Sequence, residues 1–547
     1  MALLVKKSPK YQNPKLPAPV SVVAGPSPLS RLREFCGLEG GATFIGARWL
    51  ILRAVGFLFI VIFWGIITES RALLGPAGIT PIGEMLTTLL RQSASPLVAF
   101  LNAPGLFWLS DGLGMIVILQ WLGMAAAIAV TLNLWPRWAL FGCWLIFLSF
   151  TSASPFFAMT QPDPLILELS LLCLLITPAG FRPGLAAAAP PRRIAVLAIR
   201  FMLFRLMIEA GLAKFVFGGA MWRELTAMDV MYATAPFPTL LGYLLHQLPH
   251  WFHVLEIGIT FIAECVAPFV MIFGGRRWRW FAFIAWAVLQ LGIQLTNNFA
   301  WLNLGAIGLA VILLDDAMLV AAAQRLRWSR LAVFLEQQVT QISRSPLNVW
   351  ARYSLRAALG LQFAVSGCAY LIAPVRIPLA SVPAIIATPL SYVKHFYGAN
   401  GYALFGNLPK LRNEVELQGS NDGGETWRTY EFCHKIEQLD RVAPFIAPWY
   451  PRFEAILQNV RVTNSRTELY AATATRLLQR KPAVMALFKH DPFPERPPTA
   501  IRFVDYRYEL NALAAWRTTG QFWRRTLVGD WQPMVYLNDQ GAVVADP

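Results

Sequence analysis

The chain repeatedly contains stretches of about twenty predominantly apolar residues, the length that a helix needs to cross the hydrocarbon of a bilayer. We predict nine such spans. Seven are clear, near 49–68, 113–134, 138–157, 195–217, 253–274, 279–297 and 355–374, and two shorter ones lie near 164–178 and 299–314. Only 14% of the 547 residues are charged, against about 25% in soluble proteins. Lipid must therefore solvate part of the surface, and we expect membrane lipids among the partners.

One further apolar segment, 83–105, is interrupted by Arg91 and Pro96. This pattern predicts an amphipathic helix that lies at the membrane interface rather than a span.

The basic residues indicate an orientation, because cytoplasmic loops of membrane proteins are enriched in Lys and Arg. The N-terminal tail contains Lys6, Lys7, Lys10, Lys15, Arg31 and Arg33. With nine spans, the arginine-rich loops, including 325–352, fall on the same side as this tail, whereas 69–112 and 218–252 fall on the opposite side. The formal net charge is +16, but its residues lie in short loops rather than in a stripe along a phosphate backbone, so we predict no nucleic-acid partner.

This count predicts three parts. The first is a cytoplasmic tail at 1–48 that lacks the apolar core of a signal peptide. The second is a multi-span domain at 49–374 with an extracytoplasmic loop at 218–252. The third is an extracytoplasmic domain at 395–547. Loss of one short span would reverse the side on which the last domain lies.

The C-terminal domain has a different pattern. Val415 and Leu417 alternate with acidic residues, and Asn-Asp-Gly-Gly follows at 421–424, which predicts a β-hairpin. Residues 501–510 also alternate as a strand, and 466–489 is predicted to form one or two helices broken at Pro482. We predict a mainly β, sandwich-like domain with a helical insertion.

Ionisable residues inside the apolar stretches are energetically costly and mark a functional site or a buried pair. The cluster consists of Glu168, Arg200, Arg205, Glu209, Lys214 and Glu264. Glu209 follows Arg205 by four residues and Lys214 follows Glu209 by five, so these partners can share a helix face. We favour mutual neutralisation between helices over a direct chemical role.

No recognisable catalytic or metal-binding motif is present. His246, His250 and His253 lie in or next to the 218–252 loop, but no acid or cysteine completes a metal site at suitable spacing. The six cysteines also lack metal-ligand spacing. We find no nucleophile elbow, zinc-protease motif or P-loop. We therefore predict no metal and no cofactor, and we favour a non-enzymatic role.

The order of several short blocks resembles the lipase maturation factor family. In the membrane part these are GLAKF, WRELTAMD, PFPTLLGYLLHQLPHWFH, IAECVAPF and NNFAWLNLGAIGLAVILLDD. In the C-terminal part they are FYGANGYALFG, EVELQGSNDGGETWRTYEF, APWYPRFE, DPFPERPPTAIRFVDYRYEL and WRRTLVGDWQP. Together they cover about the last two-thirds of the chain.

The resemblance implies a polytopic protein whose animal members reside in the endoplasmic reticulum and help homodimeric lipases fold and assemble, with the C-terminal domain contacting the client. It also implies a set of signature residues whose glycines serve backbone geometry and whose aromatic rings pack the core. These are Trp222, Asp229, Pro236, His246, Tyr397, Gly398, Phe405, Gly406, Gly419, Trp427, Tyr430, Phe432, Pro492, Phe493, Tyr506 and Tyr508.

The sequence also departs from the family pattern. After Asp229 the family usually has His-Tyr-Glu-Thr-Gln-Pro, whereas this chain has Val-Met-Tyr-Ala-Thr-Ala-Pro. After Pro451-Arg452 the usual Asp and Trp are replaced by Phe453-Glu454-Ala455. Any activity that needs those polar groups is thereby put in doubt.

The membrane part has a fainter resemblance to the wider group that includes vitamin K-dependent γ-carboxylase. There a helix ends in Gly-x-x-Lys and a tryptophan follows, as in GLAKFVFGGAMW. The resemblance implies that Lys214 would act as a base, with Glu209 or Asp229 nearby, because burial disfavours a charged lysine. The simpler interpretation is an ion pair with Glu209 or a lysine that reaches the interface.

Two functions therefore stay open. The first is a membrane-anchored maturation factor that engages an exported client, such as a lipase. The second is an intramembrane enzyme that uses Lys214. A transporter is weaker, since no inverted repeat is visible. The lysine-rich tail and compact size favour a bacterial inner membrane, or the endoplasmic reticulum membrane in a eukaryote.

Overall fold

The computed structural model describes residues 27–158, 162–185, 189–340, 349–375, 383–538, 540 and 542–545. Its first part is helical. The helices are α1 Pro28–Phe35, α2 Ile45–Leu74, α3 Ile82–Gln92, α4 Pro96–Asn102, α5 Leu113–Leu132, α6 Pro136–Ser152, α7 Pro155–Ala158, α8 Pro162–Leu174, α9 Arg193–Leu212, α10 Ala220–Arg223, α11 Ala227–Thr234, α12 Leu240–His246, α13 His250–Phe261, α14 Ala267–Phe273, α15 Arg276–Thr296, α16 Leu302–Ala310, α17 Asp316–Arg325, α18 Ser329–Thr340, α19 Val349–Val375 and α20 Ala384–His395.

Three described helical stretches are long and apolar enough to cross a bilayer: Ile45–Leu74, Leu113–Leu132 and His250–Phe273. A fourth counts if the pair Leu302–Leu313 and Asp316–Arg325, bent by 104°, is one broken span. Other predicted stretches form short helices, such as α8 with 13 residues and α16 with 9. The chain therefore has a helical membrane region with several candidate spans, and the number nine is not confirmed.

The segment 83–105 was predicted as one interfacial helix, and it forms two. The helix α3 ends at Gln92, and α4 begins at Pro96. The Ser95 hydroxyl accepts a hydrogen bond from the Val98 backbone N–H, and proline at the first helical position needs no backbone donor. The predicted tail at 1–48 also proves to be partly helical where it is described, and α2 begins within it, at Ile45.

The C-terminal domain is built on one antiparallel sheet. Its strands are β1 Arg412–Ser420, β2 Arg428–Thr429, β3 Ala500–Leu510, β4 Trp523–Leu537 and β5 Val543–Ala545, in the order β2-β1-β3-β4-β5. Its helices are α21 Arg452–Thr463, α22 Glu468–Leu478, α23 Pro482–Met485 and α24 Leu513–Thr519. The predicted hairpin is confirmed as β1–β2, and the predicted strand at 501–510 is confirmed as β3.

The sandwich prediction is wrong for the described residues, because all described strands belong to this single sheet. Helices occupy the place of a second sheet. The Tyr470 ring of α22 meets Phe503 of β3 and Trp531 of β4, with ring centroids 6.0 and 4.9 Å apart. The helical insertion is thus the covering layer of the sheet, and the domain is of the α+β type.

The membrane helices and the C-terminal domain share one hydrophobic core. Phe453 of α21 packs on Phe156 of α7, with ring centroids 6.3 Å apart, and both side chains are buried. The same contiguous cluster contains Phe147 of α6 and Phe432, which follows β2. The described part of the C-terminal domain is therefore packed into the helical region rather than tethered to it.

Candidate functional site

Residues 397–408, which we call the signature loop, enter between the membrane helices. Asn400 and Tyr402 of this loop contact Glu168 and Arg205, and we call these four residues the ionic junction. Glu168 of α8 and Arg205 of α9 form a buried ion pair. The Glu168 carboxylate also accepts hydrogen bonds from the Asn400 backbone N–H at 2.9 Å and the Tyr402 hydroxyl at 2.8 Å. The Arg205 guanidinium in turn donates to the Asn400 carbonyl at 2.9 Å.

This arrangement explains why the ionic groups can be buried. A charge removed from water needs an opposite charge and further hydrogen bonds. The pair receives both, because the loop supplies backbone and hydroxyl groups to it. Burial raises the pKa of the Tyr402 hydroxyl, and the adjacent Glu168 carboxylate adds to this effect, so Tyr402 acts as a neutral donor.

The ion pair of Lys214 with Glu209, the simpler interpretation of the sequence, is wrong, because Lys214 pairs with Glu264. Glu209 accepts a hydrogen bond from the backbone N–H of Tyr402 instead. Arg200 lies elsewhere, with its guanidinium between the rings of Phe35 and Phe44. The prediction that acids and bases neutralise one another between helices holds for Glu168 with Arg205 and for Lys214 with Glu264.

Lys214 donates to both oxygens of the Glu264 carboxylate, at 2.8 and 2.7 Å. Each residue lies in a π-helical turn, Ala213–Phe217 and Ile262–Val266. A π-turn inserts an extra residue and redirects a side chain, and such turns are frequent at functional positions. Lys214 also approaches the Leu404 carbonyl of the signature loop at 3.3 Å.

Two glycines permit the loop to approach so closely. A Cβ on Gly406 would lie 2.9 Å from the Ala213 carbonyl oxygen, and one on Gly218 would lie 2.7 Å from the Gly406 carbonyl oxygen. The preceding Phe405 has a φ of +54°, a strained value for an aromatic residue. Its carbonyl accepts a hydrogen bond from the Trp222 indole at 3.0 Å, which helps to hold this conformation.

A further ion pair, which joins α21 of the C-terminal domain to α8, was not predicted from the sequence. Arg452, the first residue of α21, forms a two-pronged ion pair with Asp163 of α8, with N–O distances of 2.6 and 2.8 Å. Its backbone N–H also donates to Glu69 of α2 at 3.0 Å. All three side chains are buried. The available signal was the presence of two acids at the edges of apolar stretches.

A third contact joins the sheet to the 218–252 loop. Arg412 of β1 pairs with Glu414 at 2.6 Å and donates to the Pro236 carbonyl at 2.9 Å. Lys435 approaches the same Glu414 carboxylate at 3.2 Å. Burial lowers the pKa of Arg412, and the Glu414 carboxylate opposes that shift. Pro236, a signature residue, thus contributes a backbone acceptor.

The residues of the catalytic alternative do not converge. Lys214 is saturated by Glu264, and Glu209 is held by the signature loop. Asp229 lies beside His250, 3.0 Å from its Nδ1 atom, at a partly exposed position. No trio with a free base is formed, so the structure does not support the enzyme interpretation.

The histidines do not form a metal site within the described residues, where no group of three or more metal-ligating side chains converges. His250 contacts Asp229, and His253 contacts Glu256 at 2.8 Å. The pKa of His246 is lowered by burial and by the neighbouring His253.

The remaining signature residues lie in the C-terminal domain. Gly419 receives the Phe493 ring, which a Cβ would meet at 2.7 Å. Tyr430 stacks near Phe493, and Phe432 packs on Phe488, with centroids 5.9 and 5.1 Å apart. A Cβ on Gly398 would lie 3.2 Å from the Val393 side chain, and the preceding Tyr397 has a φ of +52°.

The other four signature residues make cation–π contacts or hydrogen bonds. Arg502 stacks over Trp427 and Arg525 stacks over Tyr506. The Tyr508 hydroxyl donates to Glu416, and the Pro492 carbonyl accepts from Arg428.

Comparison with known proteins agrees with this division of the chain. Residues 46–321 match the model of the lipase maturation factor transmembrane domain, and residues 398–533 match that of the lipase maturation factor C-terminal domain. Lipase maturation factor 1 of Mus musculus is 28% identical over 519 residues, which cover 91% of this chain and 88% of the relative. Lipase maturation factor 2 of Rattus norvegicus is 28% identical over 594 residues, covering 90% and 83%.

No solved structure matches the chain. The fainter resemblance to γ-carboxylase is not shown by these comparisons. The second matched segment begins at Gly398 and therefore includes nearly all of the signature loop.

Proposed function

Because the chain belongs to the lipase maturation factor family, we propose that it is a membrane-anchored maturation factor that assists the folding or assembly of an exported lipase. The C-terminal domain carries the client-binding surface, and the ionic junction holds that domain in a fixed position on the membrane helices. No step in this function needs a catalytic residue, a metal or a cofactor.

The observation that carries the proposal is the open edge of β4. This strand pairs with β3 along most of its length, but with β5 only through Val535–Leu537. In the described part of the chain, residues 523–534 have no strand partner on the second side. An unpaired edge presents backbone donors and acceptors to which an extended segment of another protein can add.

Exposed apolar side chains lie on the same edge. Leu527 is 61% exposed and Val528 is 50% exposed, in a domain that has few large apolar side chains at its surface. A register shift in the β3–β4 pairing lies beside them, between Asp505 and Tyr506. A partly folded lipase exposes unpaired strands and apolar surface, so this edge suits such a client.

We further propose that residues 1–48 are cytoplasmic, that 49–374 form the membrane domain with its 218–252 loop outside, and that 395–547 lie outside the cytoplasm. The host membrane is the bacterial inner membrane, or that of the endoplasmic reticulum in a eukaryote. The distribution of Lys and Arg supports this orientation. A phosphatase that is active only outside the cytoplasm, fused after Pro547, should be active, and activity of a cytosolic reporter there instead would contradict the orientation.

The function is tested in a host strain that lacks this chain and exports one defined lipase. Extracellular lipase activity per amount of lipase antigen should fall in the deletion strain and return with the wild-type chain. Unchanged activity per antigen in the deletion strain would contradict the proposed function.

The surface is tested by rescue with the double variant Leu527→Asp/Val528→Asp, which should restore little activity although the protein accumulates normally. The matched control is Leu411→Asp/Val462→Asp, which alters two apolar side chains of 49% and 46% exposure away from β4. Full rescue by the β4 variant would contradict the assignment of the surface. Point variants are preferable to deletion of 395–547, because the deletion also removes the partners of Glu168, Glu209 and Asp163.

A further inference from the structure

A cavity of about 250 Å³ lies between α11, α13 and α15, next to the ionic junction. Its walls are mostly apolar and include Met228, Met231, Leu245, Phe252, Leu289 and Ile293. Phe405 of the signature loop also lines the cavity. An apolar cavity with a few polar groups is the usual form of a small-molecule site.

One polar group on the wall has no partner within the described residues. Asn297 lines the cavity and is 1% exposed, and its side-chain carbonyl oxygen lacks a hydrogen bond. The amide nitrogen of the same side chain donates to the Thr296 hydroxyl at 3.0 Å. A buried acceptor without a donor is unfavourable by about 1–3 kcal/mol. The oxygen is closed to a water-sized atom in the present rotamer, and a rotation of the Asn297 side chain towards the cavity would let a ligand hydroxyl satisfy it.

The ionisable groups on the wall are already satisfied. Lys214 and Glu264 form their ion pair, and the Glu256 carboxylate is bound by the Tyr232 hydroxyl and His253. A charged ligand would have to break one of these pairs or remain unpaired in an apolar environment, and both are costly. The wall therefore favours an electrically neutral occupant.

The cavity opens sideways between α13 and α15. Ile259 and Val288 line it and are 42% and 58% exposed. Gly292 lies at this opening, and a Cβ built on it meets no atom within 4 Å. His250–Phe273 is long and apolar enough to cross a bilayer, and an opening on such a spanning helix would face the hydrocarbon. The volume is below that of most drug-sized sites, and it suits part of one alkyl chain rather than two.

We propose that this cavity binds a neutral single-chain lipid with a hydroxyl end, such as a monoacylglycerol. The lipid enters past Gly292, its chain lies along α13 and α15, and its hydroxyl donates to Asn297. No bond is made or broken in the lipid. The proposal is independent of the lipase client, since binding is measured on the purified chain.

The test uses full-length protein in phospholipid vesicles with a monoacylglycerol that carries a photoreactive diazirine in its chain. Adducts should form on peptides containing 226–232 and 286–297, and excess plain monoacylglycerol should suppress them. A diacyl phosphatidylethanolamine with the same diazirine should label these peptides weakly. Equal labelling by the phospholipid would overturn the proposal, because the occupant would then be a chain of a bilayer phospholipid.

Two variants sharpen the test. Gly292→Phe should lower monoacylglycerol adducts at least about fivefold by filling the opening, whereas Gly258→Phe on α13, where a Cβ also meets open space, should not. Asn297→Leu should raise the concentration of monoacylglycerol needed for competition about tenfold, as expected for loss of one buried hydrogen bond. Wild-type behaviour of both Gly292→Phe and Asn297→Leu would overturn the proposal, and the melting temperature identifies any variant that fails to fold.

Discussion

The C-terminal domain has two regions that differ in burial and in ionic contacts. Its inner side meets the membrane helices through buried ion pairs and glycine contacts, such as Arg452 with Asp163 and Gly406 with Ala213. What we call its outer side is the open edge of β4, where Leu527 is exposed. Substitutions on the inner side should be poorly tolerated, because each group there is the ion-pair partner or the close packing contact of another.

This difference allows the effects of substitutions on stability to be distinguished from their effects on client binding. Substitutions on the inner side should unfold or loosen the protein, whereas those on the outer edge should alter client binding and leave the fold intact. Loss of client activity alone therefore identifies a recognition residue only if stability is unchanged. The predictions below test this division from the largest expected effect to the smallest.

Replacement of Arg452 by Met should have the largest effect. It leaves the Asp163 carboxylate buried without that guanidinium, and removal of one member of a buried pair is unfavourable by about 3–5 kcal/mol. The melting temperature of the purified protein and its yield should both fall strongly. The double variant Arg452→Met/Asp163→Leu should recover part of the loss, and no recovery would contradict the pairwise explanation.

The variant Gly406→Ala should destabilise the protein by about 1–3 kcal/mol, because the new Cβ would overlap the Ala213 backbone and neither segment can move freely. The control is Gly114→Ala, where a Cβ meets nothing within 4 Å. Equal melting temperatures for the two variants would show that the loop does not approach the Ala213–Phe217 turn so closely.

A pH-dependent effect is expected in the interior, between the two sides. Burial raises the pKa of Glu437 to about 8. Between the ordinary carboxyl pKa near 4.5 and about 8, the unfolded chain loses this proton and the folded chain keeps it, so stability falls as pH rises through that window.

Glu437→Gln removes this loss and keeps an acceptor for the Phe432 N–H. The variant should melt higher than wild type at pH 9, by about 2–4 °C, and the difference should shrink towards pH 5. A difference that does not depend on pH would contradict the raised pKa.

The smallest effect is expected on the outer edge. Arg524 pairs with Glu509 at 3.0 Å, but both side chains are largely exposed. Such surface pairs contribute about 0–1 kcal/mol, so Arg524→Met should change the melting temperature only slightly. A loss as large as that of Arg452→Met would show that the β4 edge is part of the structural core.

Local patterns in the sequence predicted local structure well. The alternation around Val415 and the glycine turn predicted β1 and its hairpin, and the break before Pro482 separates α22 from α23. The same alternation was a poor guide to exposure, since Glu414 and Glu416 are buried with Arg412 and Arg525 as partners. A period of two identifies a strand, but it does not show what covers each face.

Long-range pairing could not be predicted. The energetic cost of ionisable residues in apolar stretches correctly identified Glu168 and Arg205 as a functional site or a buried pair. Their contacts with Asn400 and Tyr402, however, join positions about 200 residues apart in the chain. Nothing in the spacing of residues near Arg205 distinguishes Glu168 from Glu209 as its partner. The spacing of four residues on one helix favoured Glu209 as the partner of Arg205, whereas tertiary packing places Glu168 next to it.

The pair between Arg452 and Asp163 also imposes an order on biogenesis. The two residues are 289 positions apart, which a ribosome that adds about 5–20 residues per second needs roughly 15–60 s to translate. During that interval the nascent helices carry the Asp163 carboxylate without the arginine that later neutralises it. The described packing of α8 against α21 can therefore be completed only after translation has passed Arg452, so the pair couples the early helices to the last part of the chain.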